Sequence, residues 1–170
     1  MARGDYFCDT RTVTISLAVG VLFATATLSS PAAAQVTVHR LSAALANEAV
    51  GAAVAACAQQ GYAETAVVVD TDGVTQALLR GDGAGIHTLD SAHDKAYTSV
   101  TFRADTGALL PNPSQAISTL TARLPHLLLV QGGVVIRIGN EVIGAIGAAG
   151  APGGNLDEGL RAGRARQDQR

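Results

Sequence analysis

The chain has 170 residues, of which 48% are hydrophobic, 15% charged and only 4% aromatic. That is too apolar for a disordered chain and too poor in aromatics for a base-stacking platform. Twelve basic against 14 acidic side chains leave a formal charge of −2, which offers no surface for nucleic acid.

Arg3 and Arg11 precede an uncharged run of 16 residues, Val13 to Leu28, and the small-residue stretch Ser29-Ser30-Pro31-Ala32-Ala33-Ala34 follows. This charged, apolar, small order is that of a secretory signal over residues 1–34, with cleavage expected between Ala34 and Gln35. The run is short of the roughly 20 residues a spanning helix needs, so a removed leader is expected and no membrane contact after its removal. The expected location is periplasmic or secreted. One domain is then expected over residues 35–164, with a polar tail over 165–170. Without the leader Cys57 is the sole cysteine, so no internal disulfide can form even in an oxidising compartment.

The first element after the leader is a helix from Ser42 to Gln60, with Ser42 as N-cap and Gly61 just past its end. Leu41, Leu45, Ala49, Ala52 and Ala56 form one stripe, and Val50, Val54 and Cys57 lie beside it. Thr65–Asp70 and Val74–Arg80 read as two strands joined by the turn Thr71-Asp72-Gly73. The glycine-rich loop Gly81–Gly85 leads into a second helix, roughly Leu89 to Phe102. After Pro111, Asn112 and Pro113 supply a cap and first turn for a short helix to Leu124. Leu127–Val130, Val134–Ile138 and Glu141–Ala148 read as three further strands, the last two joined by the two-residue turn Gly139-Asn140. Asn155 opens a last helix. Short turns demand antiparallel pairing, because a parallel pair needs a long crossover. The economical solution is an α+β fold with one five-stranded antiparallel sheet and helices packed on it.

Candidate chemistry centres on the second helix. Gly81, Gly83 and Gly85 follow a strand but stand in an antiparallel context, which argues against a dinucleotide fingerprint. His93 and Tyr97 are four apart and share a helix face, close enough to act together on a ligand or on iron. No HExxH spacing or Cys/His set marks a zinc site, and no GxSxG elbow is present. Cys57 falls mid-helix on an apolar stripe, the setting of a packed, unreactive thiol. Lys95 is the only lysine of the chain, and its small neighbours Ala92, Ala96 and Ser99 would let its stem cross a groove towards an anion. An organic-acid binder or catabolic enzyme using Lys95 and Asp94 is the alternative reading.

Four segments together resemble the GlcG/HbpS family, which is also similar to the C-terminal domain of PduO-type cobalamin adenosyltransferases. They are AVVVDTDGVTQALLRGDGA (66–84), SAHDKAYTSVTFRADTGAL (91–109), GGVVIRIGNEVIGAIGAAGAPGG (132–154) and DEGLRAG (157–163). The resemblance implies a profilin-like fold and haem binding by a homo-oligomer, often an exported one, with a role in haem sensing, storage or handling. An exported sensor domain is a partner it implies. It associates Thr106 with haem contact and places Lys95, Tyr97, Phe102 and Arg103 where they could meet the macrocycle or its propionates. His93 falls where the family often has Gln or Arg and adds an imidazole of its own. No oxygenase constellation is visible, so the sequence assigns no enzymatic activity.

Overall fold

The computed structural model describes residues 37–153; the expected leader, the helix from Asn155 and the polar tail lie outside the described residues. Four strands form one antiparallel sheet in the order β2-β1-β4-β3, where β1 is Thr65–Asp70, β2 Thr75–Arg80, β3 Gly133–Ile138 and β4 Glu141–Ala149. The helices are α1 (Ala43–Ala58), α2 (His87–Phe102), the single turn α3 (Thr106–Leu109) and α4 (Gln115–Arg123).

The expected fifth strand, Leu127–Val130, is not a strand. Its backbone is engaged elsewhere: Leu128 N–H donates to Thr98 Oγ1 on α2 at 2.7 Å, and Val130 N–H folds back onto Leu128 O at 3.0 Å. With Leu128 and Val130 N–H committed to a helix side chain and to the segment itself, the run cannot form a regular ladder. A hydrophobic run of four residues cannot show this in advance, because its period does not distinguish a strand from an apolar loop.

Alternation along β1 explains why the sheet carries helices on both faces. Ala66 and Val68 point to α1, where they meet Ala46, Val50 and Ala53 together with Val134, Ile146 and Ala148. Val67 and Val69 point to α2, where they meet Ala92, Ala96 and Val100 with Val142, Ala145 and Ala149. All six residues of β1 are therefore buried, and the continuous β-branched run is the sequence mark of a strand covered twice.

α1 begins where expected, with Ser42 Oγ accepting from Leu45 N–H at 3.2 Å. Gly61, at φ 81, closes it as Tyr62 N–H bonds to Cys57 O and Gly61 N–H to Ala58 O. The face it buries is Ala46, Val50, Ala53 and Cys57; of the expected stripe Leu45 is exposed, while Leu41 and Ala49 are half-buried against the core. In a helix this rich in alanine several stripes are equally apolar, and the fit to the sheet decides among them. The short helix α4 starts at Gln115 and not at Pro113, because Ser114 Oγ caps Ile117 N–H at 3.2 Å.

α2 lies closer to the sheet than ordinary side chains permit. A Cβ on Gly147 of β4 would overlap Ala92 O and stand 2.6 Å from Ala96 N. A Cβ on Gly133 of β3 would overlap Lys95 O and stand 2.5 Å from Ser99 Oγ. These two glycines pair across the ladder and form a bare floor for the helix. The close packing that small residues allow is thus spent inside the chain. At its N-terminus α2 is anchored by Thr88, whose hydroxyl meets Thr65 Oγ1 at 2.6 Å and Gly85 O at 2.5 Å.

The segment before α1 is tied to β4 by one exposed contact. His39 N–H donates to Glu141 Oε1 at 3.1 Å and His39 Nδ1 lies 2.6 Å from Oε2. The His39 side-chain hydrogen bond, and after it the backbone one, lowers the Glu141 carboxyl below its ordinary value. A carboxyl lowered in the folded state stabilises above its unfolded pKa and loses that contribution as pH falls through the folded value. We expect the NMR-observed Glu141 titration to fall below the ordinary glutamate range and to move back up in His39→Ala. An unchanged midpoint in that variant would show that His39 does not set it.

Candidate functional site

The six residues singled out from the sequence do not gather in one place. Lys95 faces the sheet, buried, and its Nζ donates to Ala148 O at 2.9 Å. Thr106 is fully buried at the start of α3, where its Oγ1 accepts from Gly133 N–H at 3.0 Å and lies 3.3 Å from Gly133 O. Both side chains therefore serve the contact between α2, α3 and the β3–β4 hairpin. Asp94 meets different partners, its Oδ1 lying 3.0 Å from His93 Nδ1 and 3.2 Å from His126 Nδ1.

Phe102 and Arg103 form a corner at the end of α2. Arg103 adopts the left-handed conformation, φ 53, that terminates the helix, and Ala104 N–H then reaches back to Ser99 O at 3.2 Å. The residue is exposed, while Phe102 is half-buried. Arg137 of β3 joins this corner, donating from Nη2 to Arg103 O at 2.6 Å and from Nη1 to Asn140 O at 3.3 Å. Asp105 is held to β3, its Oδ1 accepting from Val135 N–H at 2.9 Å. Arg137 carries no signal in the sequence; its place follows only from the pairing of β3 beside the end of α2.

His93 and Tyr97 do share a face, as their spacing predicts, and their rings stack at 5.9 Å with 26° between planes. Tyr97 lies over the β1–β2 turn, where Gly73, at φ 78, leaves it room; a Cβ there would stand 2.5 Å from Tyr97 Cε2. Asp70 shapes that turn by accepting from Asp72 and Val74 N–H, both at 2.9 Å, through Oδ1. His126 completes the face, edge-on to His93 at 5.7 Å and to Tyr97 at 6.2 Å. It was not among the expected residues, since 32 positions separate it from Asp94, to which it is hydrogen bonded.

The glycine-rich loop keeps its antiparallel setting. Arg80 closes it through Nε to Ala84 O at 2.9 Å, and α2 begins directly after it, two residues earlier than the sequence suggests. On the opposite face of the sheet Cys57 is buried and donates its thiol hydrogen to Glu64, itself buried at the end of the turn before β1.

Residues 41–163 match the model of a family described as haem-degrading protein HbpS-like. The chain belongs to the HbpS-like family. Its structure is similar to that of HbpS (33% identity, 82% of this chain and 98% of that one, TM-score 0.73). A double mutant of Streptomyces reticuli HbpS matches at 34% identity, over 85% of this chain and 97% of that one, with a TM-score of 0.73. A PduOC–haem complex shares the fold at 19% identity and TM-score 0.63, over 73% of this chain and 91% of that one. No curated protein matches. HbpS-like membership covers α1 through β4, so every residue of both the arginine corner and the imidazole face lies within the matched region. Among the described residues no helix is long and apolar enough to cross a membrane.

Proposed function

We propose that the protein binds haem, as an exported homo-oligomer, and takes part in haem sensing, storage or handling. The observation that carries this reading is membership of the HbpS-like family across residues 41–163. The corner at the end of α2 supplies a place for the ligand. Haem is a flat apolar ring with two carboxylates on one edge; Phe102 offers an aromatic surface, and Arg103 with Arg137 offers two guanidinium groups suited to carboxylate. Thr106 stands behind this corner and Lys95 behind α2, both as supports. His93 and Tyr97 belong to a separate face in this reading.

Assembly is supported by the sheet edge. Val74, Leu78 and Leu79, on and beside edge strand β2, are exposed at 58%, 47% and 41%. An edge strand with unshielded apolar side chains is a surface that a second copy can cover. Export rests on the sequence of residues 1–34 alone.

Haemin titrated into protein beginning at Gln35 should give a saturable shift of the Soret band. A band that grows linearly without saturation, as for haemin free in buffer, would overturn the reading.

A further inference from the structure

We propose that His93, Asp94 and His126 form a binding site for a divalent transition-metal ion, distinct from the haem corner. The inference does not depend on haem binding, because Asp94 and His126 take no part in that reading. Among the described residues these three each offer a ligand atom, all within 4.8 Å of one another. Asp94 Oδ1 is the centre of the group, 3.0 Å from His93 Nδ1 and 3.2 Å from His126 Nδ1. Ligand atoms held about 2.0–2.2 Å from one ion are about 3–3.5 Å apart, so two of the three separations already match an occupied site.

Two elements fix the geometry. His93 and Asp94 are consecutive on α2, which is held rigidly on the Gly133/Gly147 floor. His126 follows α4 in the left-handed conformation, φ 63, and its segment is fastened to α2 by the Leu128 N–H to Thr98 Oγ1 bond. The left-handed backbone is uncommon for a residue with a side chain, and here it carries the imidazole over Asp94. Tyr97 walls one side by stacking on His93, while His126 is exposed and leaves the other side open to water or an exchangeable ligand.

Two imidazoles and one carboxylate with open positions suit a first-row transition ion and not calcium or magnesium, which require mostly oxygen ligands. A ring that carries its proton on Nε2 presents Nδ1 to the ion, and the cation then replaces the two contacts of the rings with Asp94. The ion would also clamp the 124–130 segment to α2.

Cobalt(II) is the probe, since its visible absorption reports nitrogen and oxygen ligation directly. The purified protein should take up one Co(II) per chain with a saturable visible band. His126→Asn removes the imidazole but keeps a residue tolerant of positive φ, and Asp94→Asn removes the charge. Loss of even an outer-sphere partner weakens metal sites roughly 10–100-fold, so each variant should lose at least about tenfold in affinity. His39→Asn, which disrupts the other exposed histidine and carboxylate pair, should leave the band unchanged. Absence of a band, or a band of undiminished affinity in both His126→Asn and Asp94→Asn, would overturn the site. Circular dichroism of the two variants keeps a folding defect from being read as loss of a ligand. Failure of haemin binding with cobalt binding intact would remove the haem reading and leave this one standing.

Discussion

Gly147→Ala is expected to destabilise the protein by about 2–3 kcal/mol, an unusual cost for one methyl group. The new Cβ would fall on Ala92 O and within 2.6 Å of Ala96 N, so what must move is the backbone of α2 and not a flexible side chain. Lifting α2 also separates Ala92 and Ala96 from Val67 and Val69, which adds lost burial to the overlap. Thermal unfolding followed by circular dichroism should show Tm lowered on the order of 10 °C for a chain of this size. Gly51→Ala supplies the opposite sign. Gly51 lies inside α1 with nothing within 4 Å of its Cβ position, and alanine there should stabilise by about 0.5–1 kcal/mol. Equal stability of Gly147→Ala and the parent would show that α2 does not rest on the sheet as described.

Thr106→Val should cost about 1–3 kcal/mol in the absence of any ligand, because it keeps the shape but strips a buried acceptor from Gly133 N–H. Thr106→Ser retains the hydroxyl and should recover most of that stability. The pair separates two roles for this residue. A hydroxyl that acts on haem alone would leave ligand-free stability untouched in both variants, whereas the structure assigns it the join between α3 and the start of β3. That join sets where β3 runs, and hence where Arg137 meets Arg103 O. A lowered haemin affinity in Thr106→Val is therefore expected as a consequence of the displaced corner. If Thr106→Val unfolds at the same temperature as the parent, the join is not made by this hydroxyl.

Local patterns made much of this fold legible. The β1–β2 and β3–β4 hairpins follow from apolar, β-branched runs and from glycine at the turns, and both are present at nearly their expected ends. The short apolar run Leu127–Val130 reads as a strand, but its Leu128 N–H bonds to Thr98 and its Val130 N–H to Leu128 O. The buried face of α1 is legible in part: Val50 and Cys57 lie beside the expected stripe, and contact with Ala66, Val68 and Ile146 selects Ala46 and Ala53 from the surrounding alanines.

The site was legible in its helix and not in its partners. The four-residue spacing of His93 and Tyr97 fixes their shared face wherever a helix forms. His126 and Arg137 reach that helix from distant parts of the chain, and no local rule announces them. Lys95 and Thr106 are both engaged within the fold. Their chemical type suggests a ligand contact, yet the Gly133 and Gly147 floor draws α2 so near the sheet that both are enclosed and satisfied by backbone. Chemical type names what a residue could do, and burial decides which residues are free to do it.

Haem held at the Phe102, Arg103 and Arg137 corner, as we propose, makes the haemin affinity of the protein carrying Arg103→Asn with Arg137→Gln the decisive measurement. Asparagine tolerates the left-handed conformation at position 103, so the end of α2 is preserved while both guanidinium groups are removed. If both propionates are met there, each lost charge-assisted bond is worth about 1.5 kcal/mol or more. The expected result is a variant still folded by circular dichroism, its Tm lowered only by the loss of the exposed Arg137 hydrogen bonds, with a Soret titration at least tenfold weaker than that of the parent, on the scale of about 1.4 kcal/mol per decade. Parent and variant binding haemin with equal affinity would contradict it.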